Sequence, residues 1–360
     1  MNTKVVNSAN ISNNNSNGVY LDTLAQLSTR LYNGLNDNAL SQKVSLQKRA
    51  RAKAFTSSYI YDLIDLKSPL LKSYWDTTRC TSIVLQEGKK ITSRYCKQRW
   101  CLVCNRIRTA NMINGYREPL AELKEPQFVT LTVVNPKAKY LKSTIEDMNT
   151  SIKAIRKNLK KTYNIELKGL RKYECTYNEE EDTYHPHFHL IIESKEASNK
   201  LIDLWLKKYP NASRKGQHLT PAKEESIIEL CKYFTKVIAK DNDYNPKALD
   251  IMFRSAKGKR TFQPIGIKKT VSEDIEEIAS QEIDFKEPQT EIWQYEKQYF
   301  DWVSSQGETL SEYKPTKEDL KVITQDYKTK QNEPITKRQK RFSESRSQSK
   351  INRALQLQNE

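Results

Sequence analysis

Patterned hydrophobicity is concentrated between residues 126 and 266. The stretch "FVTLTVV", from Phe128, alternates β-branched and apolar residues as a strand does. In "STIEDMNTSIKAIRKNLKK" apolar residues recur at Ile145, Met148, Ile152, Ile155 and Leu159, one stripe of an amphipathic helix. Ser143 and Glu146 have capping-box spacing, so the helix is predicted to open there. "LRKYECTY" and "HPHFHLII" predict two strands joined by the polar turn "NEEEDT". Helical spacing returns around 196–208 and 222–240, and "KRTFQPIGI" predicts a closing strand. Strands interrupted by helices over so short a span predict an α+β domain, an antiparallel sheet with helices on one face.

The flanks read differently. Residues 1–18 hold seven asparagines and are expected to be disordered. Residues 19–74 form a helical, basic segment with "QKRARAK" at 47–53, followed by a cysteine-rich module at 75–110 and the main domain at 111–268. Beyond it, 269–327 is acidic to mixed and 328–360 is a basic tail. Residues 271–300 carry nine acidic and two basic residues, whereas 328–353 carry nine basic and two acidic ones. Charge blocks of this kind are usually mobile, the basic one a candidate nucleic-acid arm and the acidic one its competitor. Mean hydropathy is −0.80 and 37% of residues are hydrophobic, so much of the chain is expected to be solvated. No apolar run approaches the ~20 residues of a membrane helix. The N-terminus lacks the basic and apolar regions of a secretory signal, so a cytoplasmic location is expected. A net charge of +17 and a pI near 9.4 point to a polyanionic partner.

Three of the four histidines sit at alternate positions of one predicted strand. His185, His187 and His189 therefore share a face, opposite Phe188 and Leu190. Two imidazoles so spaced can reach one cation; the alternative is a surface cluster without metal. If the turn centres between Glu180 and Glu181, Glu174 faces His187 and completes a two-histidine, one-carboxylate set suited to Mg²⁺ or Mn²⁺. A slip of one residue would turn Glu174 to the other face.

The predicted helix "EESIIELCKYFTKVIAK" has a buried-type stripe at Ile227, Cys231, Phe234 and Ile238. Glu229, Tyr233 and Lys236 occupy another face at i, i+4 and i+7. Nearby cations favour a phenolate, and a glutamate one turn away can act as base, so the trio is a candidate catalytic set. By itself it also reads as an ordinary exposed helix face. Cys80, Cys96, Cys101 and Cys104 include one C-x-x-C pair and can supply four thiolates to a structural Zn²⁺; reduced, buried thiols are the alternative. Arg94, Arg99, Trp100, Arg106 and Arg108 interleave basic and aromatic groups around the cysteines, a candidate DNA surface to which Lys232 and Arg260 are added.

"FVTLTVVN", "HPHFHLII" and "ELCKYFTK", in that order, resemble the three motifs of HUH-superfamily rolling-circle plasmid replication initiators, the single-tyrosine group with a glutamate four residues before the tyrosine. The similarity runs over roughly 75–267 and takes in "KYECTYNEEEDTYHPHFH" and "KGKRTFQPIG". It implies a ferredoxin- or RRM-like nuclease core at 111–268 and metal ligation by His187 and His189, with His185 a further candidate ligand. It also implies attack by Tyr233 on origin DNA, leaving a 5′-phosphotyrosyl link and a free 3′-OH, and a second, Glu229-assisted cleavage. The implied partners are double-stranded origin DNA, single-stranded DNA, and a host helicase and polymerase. Related transposases and mobilisation relaxases, histidine-triad nucleotide hydrolases, and a non-catalytic zinc-dependent DNA binder are the competing readings.

Overall fold

The protein is described from a computed structural model, which covers residues 39–88, 90–223, 226, 230, 245–270 and 290–330. Its centre is a five-stranded antiparallel sheet. In chain order the strands are β3 (Gln127–Thr132), β4 (Gly169–Asn178), β5 (Thr183–Ile192), β6 (His218–Pro221) and β7 (Phe262–Ile265), arranged β6-β3-β5-β4-β7. The histidine strand β5 is central, hydrogen-bonded along its length to β3 and β4.

Period two divides the sheet into two chemistries. Val129, Leu131, Tyr173, Cys175, Phe188, Leu190 and Ile192 point to one side, where they join the main core. Two helices cover that side, α4 (Ala138–Tyr163) and α5 (Lys195–Lys208). The apolar stripe of α4 is the one its sequence predicts, with Ile145, Met148, Ile152, Ile155 and Leu159 all buried. The start differs. Helix α4 opens at Ala138, directly after Pro136 and Lys137, so Ser143 lies inside it and its hydroxyl donates to the Tyr140 carbonyl. The extended backbone of Lys137 serves as the N-cap position, and the capping-box spacing at Ser143 and Glu146 is not used as a cap. Ser194 caps α5 by accepting from the Ala197 N–H, and Trp205 donates its indole N–H to the Thr132 carbonyl, tying α5 to β3.

The hairpin between β4 and β5 pairs Asn178 with Thr183 and hence Glu174 with His187. At the other end of the hairpin Gly169 has φ +149, and a Cβ there would lie 1.8 Å from the Ile191 carbonyl oxygen, so a side chain would break the pairing.

On the opposite side, Phe128, Leu170 and Ile191 are covered by Tyr116 and Leu120 of α3 (Leu102–Ala121), with Leu123, Ala222 and Leu230. The rest of that side carries polar residues. Before α3 come α1 (Ala39–Asp65), α2 (Leu71–Thr78), β1 (Ile83–Glu87) and β2 (Lys90–Ser93). The sheet of β1 and β2 is completed by residues from far along the chain, β8 (Glu291–Glu296) and β9 (Asp301–Val303), in the order β2-β1-β8-β9. Val84, Trp293 and Trp302 pack with Ala50 of α1 to form its core. Helix α7 (Lys317–Lys330) lies along α1, joined to it by the Arg51–Asp319 ion pair. Part of the predicted mobile acidic block is thus a structured sheet: in β8 Glu291 is exposed and Glu296 half-buried, while Trp293 turns inward. Helix α6 (Pro246–Ala256), capped by Asn245, packs against α4. Among the described residues no helix is long and apolar enough to cross a membrane.

Candidate metal centre

The polar side of the sheet brings His187, His189 and Glu174 together. His187 Nε2 and His189 Nε2 are 3.1 Å apart, and Glu174 Oε2 lies 3.4 Å from the first and 3.1 Å from the second. The far nitrogen of each ring is engaged. His187 Nδ1 is 3.0 Å from the His185 carbonyl oxygen, which only accepts, so Nδ1 carries the proton and Nε2 presents a lone pair. His189 Nδ1 is 3.1 Å from the Thr130 hydroxyl, the partner that fixes its ring. Phe128 stacks on the same ring at 5.2 Å.

Two imidazole nitrogens converging with a carboxylate oxygen form an arrangement that a shared cation would satisfy. Neighbouring ligands about 2.1 Å from an octahedral ion lie about 3.0 Å apart, close to the three spacings here. The donor set fits a hard divalent cation such as Mg²⁺ or Mn²⁺. Burial opposes ionisation of Glu174, but His187, His189 and the neighbouring Lys172 ammonium outweigh it and hold the carboxyl far below its ordinary range. Burial also lowers the His189 pKa, against the pull of Glu174.

His185 is on the same face but outside this set. Its Nδ1 is 2.7 Å from Asn135 Oδ1, and burial, then the other two imidazoles, push its pKa down to about 4. Asn135 closes the segment "FVTLTVVN", so that segment positions a histidine as well as supplying a strand. Lys172 is the residue the sequence reading passed over. It lies two before Glu174 on β4, and period two puts it on the same face; its Nζ contacts Glu174 Oε1. Glu229, Lys232, Tyr233 and Lys236, with Cys231, lie outside the described residues.

The four cysteines form a second donor set. Cys80, Cys96, Cys101 and Cys104 converge where α2, β2 and the start of α3 meet. Sulfurs around a tetrahedral Zn²⁺ with bonds of about 2.3 Å lie about 3.8 Å apart; Cys80–Cys104 and Cys96–Cys104 are 3.5 and 3.7 Å. Backbone N–H groups of Cys96 and Gln98 point at the sulfurs of Cys80 and Cys96. Neighbouring thiols, Cys101 first, hold Cys96 well below the ordinary thiol range. The set fits a structural zinc. Cys175, by contrast, is a core residue whose thiol burial pushes up to about 12.

Three of the predicted DNA contacts are occupied elsewhere. Trp100 is 5% exposed and packs between Tyr74 and Phe253, so its ring is closed to bases. A tryptophan between clustered cysteines is drawn into the core that the module shares with α1 and α6. Arg108 donates to the Lys97 and Gln98 carbonyls and to Asn105, clamping the cysteine loop. Arg99 donates to the Ala256 carbonyl at the end of α6. Arg94, Arg106 and Arg260 are exposed.

Residues 88–199 match the family model described as "Replication protein". That span holds Glu174, His187, His189 and three of the four clustered cysteines, and ends before Tyr233. The chain is 32% identical to "Protein rep" of Streptococcus pneumoniae over 29% of its own length and 34% of the relative's. It is 27% identical to "Protein rep" of Staphylococcus aureus over 44% of its length and 76% of that protein. With "Protein rep" of Lactiplantibacillus plantarum the figures are 25% identity, 58% and 80%. The chain thus spans about a third of the length of the Streptococcus relative. No solved structure matches it.

Proposed function

We propose that the chain is a plasmid rolling-circle replication initiator of the HUH type, a strand-specific nicking and rejoining enzyme acting on origin DNA. The observation that carries this reading is the convergence of His187 Nε2, His189 Nε2 and Glu174 Oε2 on one point of a sheet face. A divalent ion held there would polarise a scissile phosphate and offset charge developing on it. The names of the similar proteins favour replication over transposition or mobilisation. A carboxylate facing both imidazoles favours a cation site over a histidine nucleophile.

The chain's own residues would then do the following. Tyr233 attacks phosphorus; its phenolic oxygen forms the new bond, the 3′-oxygen leaves and takes a proton, and a 3′-OH is freed to prime synthesis. Glu229 accepts the phenolic proton, and in a later cleavage takes a proton from water, so one tyrosine suffices. Lys236 favours the phenolate by its charge. The exchange of one phosphate ester for another makes rejoining possible without ATP. Leu230, three residues before Tyr233, is fully buried in the cluster with Ile191 and Phe128, and Phe128 stacks on His189. The four-cysteine zinc would hold α1, α2 and α3 beside the sheet, while Arg94, Arg106, Lys232 and Arg260 offer charge to the DNA backbone. A helicase and polymerase of the host cytoplasm would extend the primer.

The test is incubation of the full chain with a labelled single-stranded origin oligonucleotide and Mn²⁺, beside Tyr233→Phe. Wild type alone should give a protein–DNA band that survives denaturing electrophoresis; equal bands from both would remove the tyrosine from the mechanism.

A further inference from the structure

The histidine side of the sheet holds a buried cation. Lys172 stands directly across the ladder from His189 and beside Phe262 of β7, and its side chain is 5% exposed. Its Nζ contacts one oxygen of Glu174, while the other oxygen faces both imidazole nitrogens. The carboxylate is therefore shared between a fixed ammonium and the place where a divalent ion fits. Charge at this range acts strongly in a partly buried site. Ionised Glu174, the Lys172 ammonium and two neutral imidazoles sum to zero; without the lysine the donor set would carry −1.

We propose, on the basis of the metal-centre reading above, that Lys172 is a resident counter-cation of the centre. It steers Glu174 so that a single oxygen is offered to the ion. By its charge it keeps the ion loosely held and poor in electrons, leaving more positive charge for phosphate oxygens. A lysine that only buttresses the strand, or only orients Glu174, makes the opposite prediction for metal affinity: its removal would loosen the ion. Counter-charge alone predicts tighter binding when the lysine is neutralised.

The experiment titrates Mn²⁺ into the full chain and follows free Mn²⁺ by electron paramagnetic resonance. It compares wild type, Lys172→Gln, Lys172→Met and His187→Ala. Lys172→Gln removes the charge while keeping a polar N–H donor on the side of Glu174, so it carries the test even where Lys172→Met fails to fold. The Gln and Met variants should bind Mn²⁺ at least tenfold more tightly than wild type. At saturating Mn²⁺ they should nick the origin oligonucleotide at least tenfold more slowly. Equal or weaker Mn²⁺ binding by folded Lys172→Gln would overturn the counter-cation role and leave the centre standing. Wild-type binding by His187→Ala would remove the centre itself, and the proposal with it.

Discussion

Glu174→Gln changes no volume and removes one charge, which makes it the sharpest probe of the centre. In wild type the Glu174 carboxylate and the Lys172 ammonium are in contact, with side chains 18% and 5% exposed. Deleting one member of a buried ion pair costs about 3–5 kcal/mol, because the other charge is left without compensation. Partial exposure of the carboxylate places this pair at the low end, about 3 kcal/mol. At about 2–4 °C per kcal/mol, the metal-free variant should melt about 6–12 °C below wild type. Circular dichroism of the full chain in chelator measures this directly. The double variant Lys172→Met with Glu174→Gln, neutral and similar in volume, should recover at least half the loss, since the uncompensated charge is gone. A second scan with Mn²⁺ isolates the ion. At a hundredfold excess over its dissociation constant a ligand adds about 2.7 kcal/mol to the folded state, so wild type should gain several degrees and Glu174→Gln little. A single variant that melts within about 2 °C of wild type, or a double variant no better than the single, would refute the account of the pair.

Three further outcomes are expected. Cys104→Ser should lower bound zinc, measured by elemental analysis, from one ion per chain to well below one, and melting should fall as the junction of α1, α2 and α3 loosens. Phe188→Ala should cost about 3–5 kcal/mol in denaturant unfolding, because Phe188 is fully buried against Arg171, Tyr173 and Trp205. Mn²⁺ affinity should fall as pH falls, since protons compete for the imidazoles. Because burial lowers the His189 pKa, loss at that ligand should set in below the ordinary imidazole value of about 6.5; isothermal titration across pH 5–8 follows it.

What could be read from the chain depended on how far apart the partners were. The α+β architecture and the stripe of α4 follow from local periodicity, and the pairing of Glu174 with His187 from a hairpin closed by a four-residue turn. In such a hairpin register is set by the turn and the apolar side together, and both agree here. Lys172 was legible by the same rule, two positions from Glu174, yet a lysine among sixty-one basic residues carries no signal until burial is known. Trp100 shows the converse. Its neighbours in sequence are basic and suggest a DNA surface, but the cysteines that flank it pull the loop inward, and Tyr74 and Phe253 close over the ring.

The four-stranded sheet could not be read locally. Strand β1 pairs on one side with β2 through a short turn and on the other with β8, some two hundred residues later, with Val84 opposite Trp293. Nothing in "EIWQYE" names its partner, and the acidic composition around it argues for solvent. What decides the matter is the pair of tryptophans: Trp293 and Trp302 together offer more apolar surface than β8 and β9 can hide alone, and Trp302 donates its indole N–H to the Thr81 carbonyl beside the cysteines. The chain after the five-stranded sheet therefore returns to the cysteine module. Lys53 of α1 reinforces that junction, donating to the Thr78 and Cys80 carbonyls with its ammonium over the Tyr295 ring. The cysteine cluster, the second sheet and the N-terminal helix are therefore packed against one another, and a substitution that disrupts the cluster should reach β8 and β9 as well as the cysteine loop.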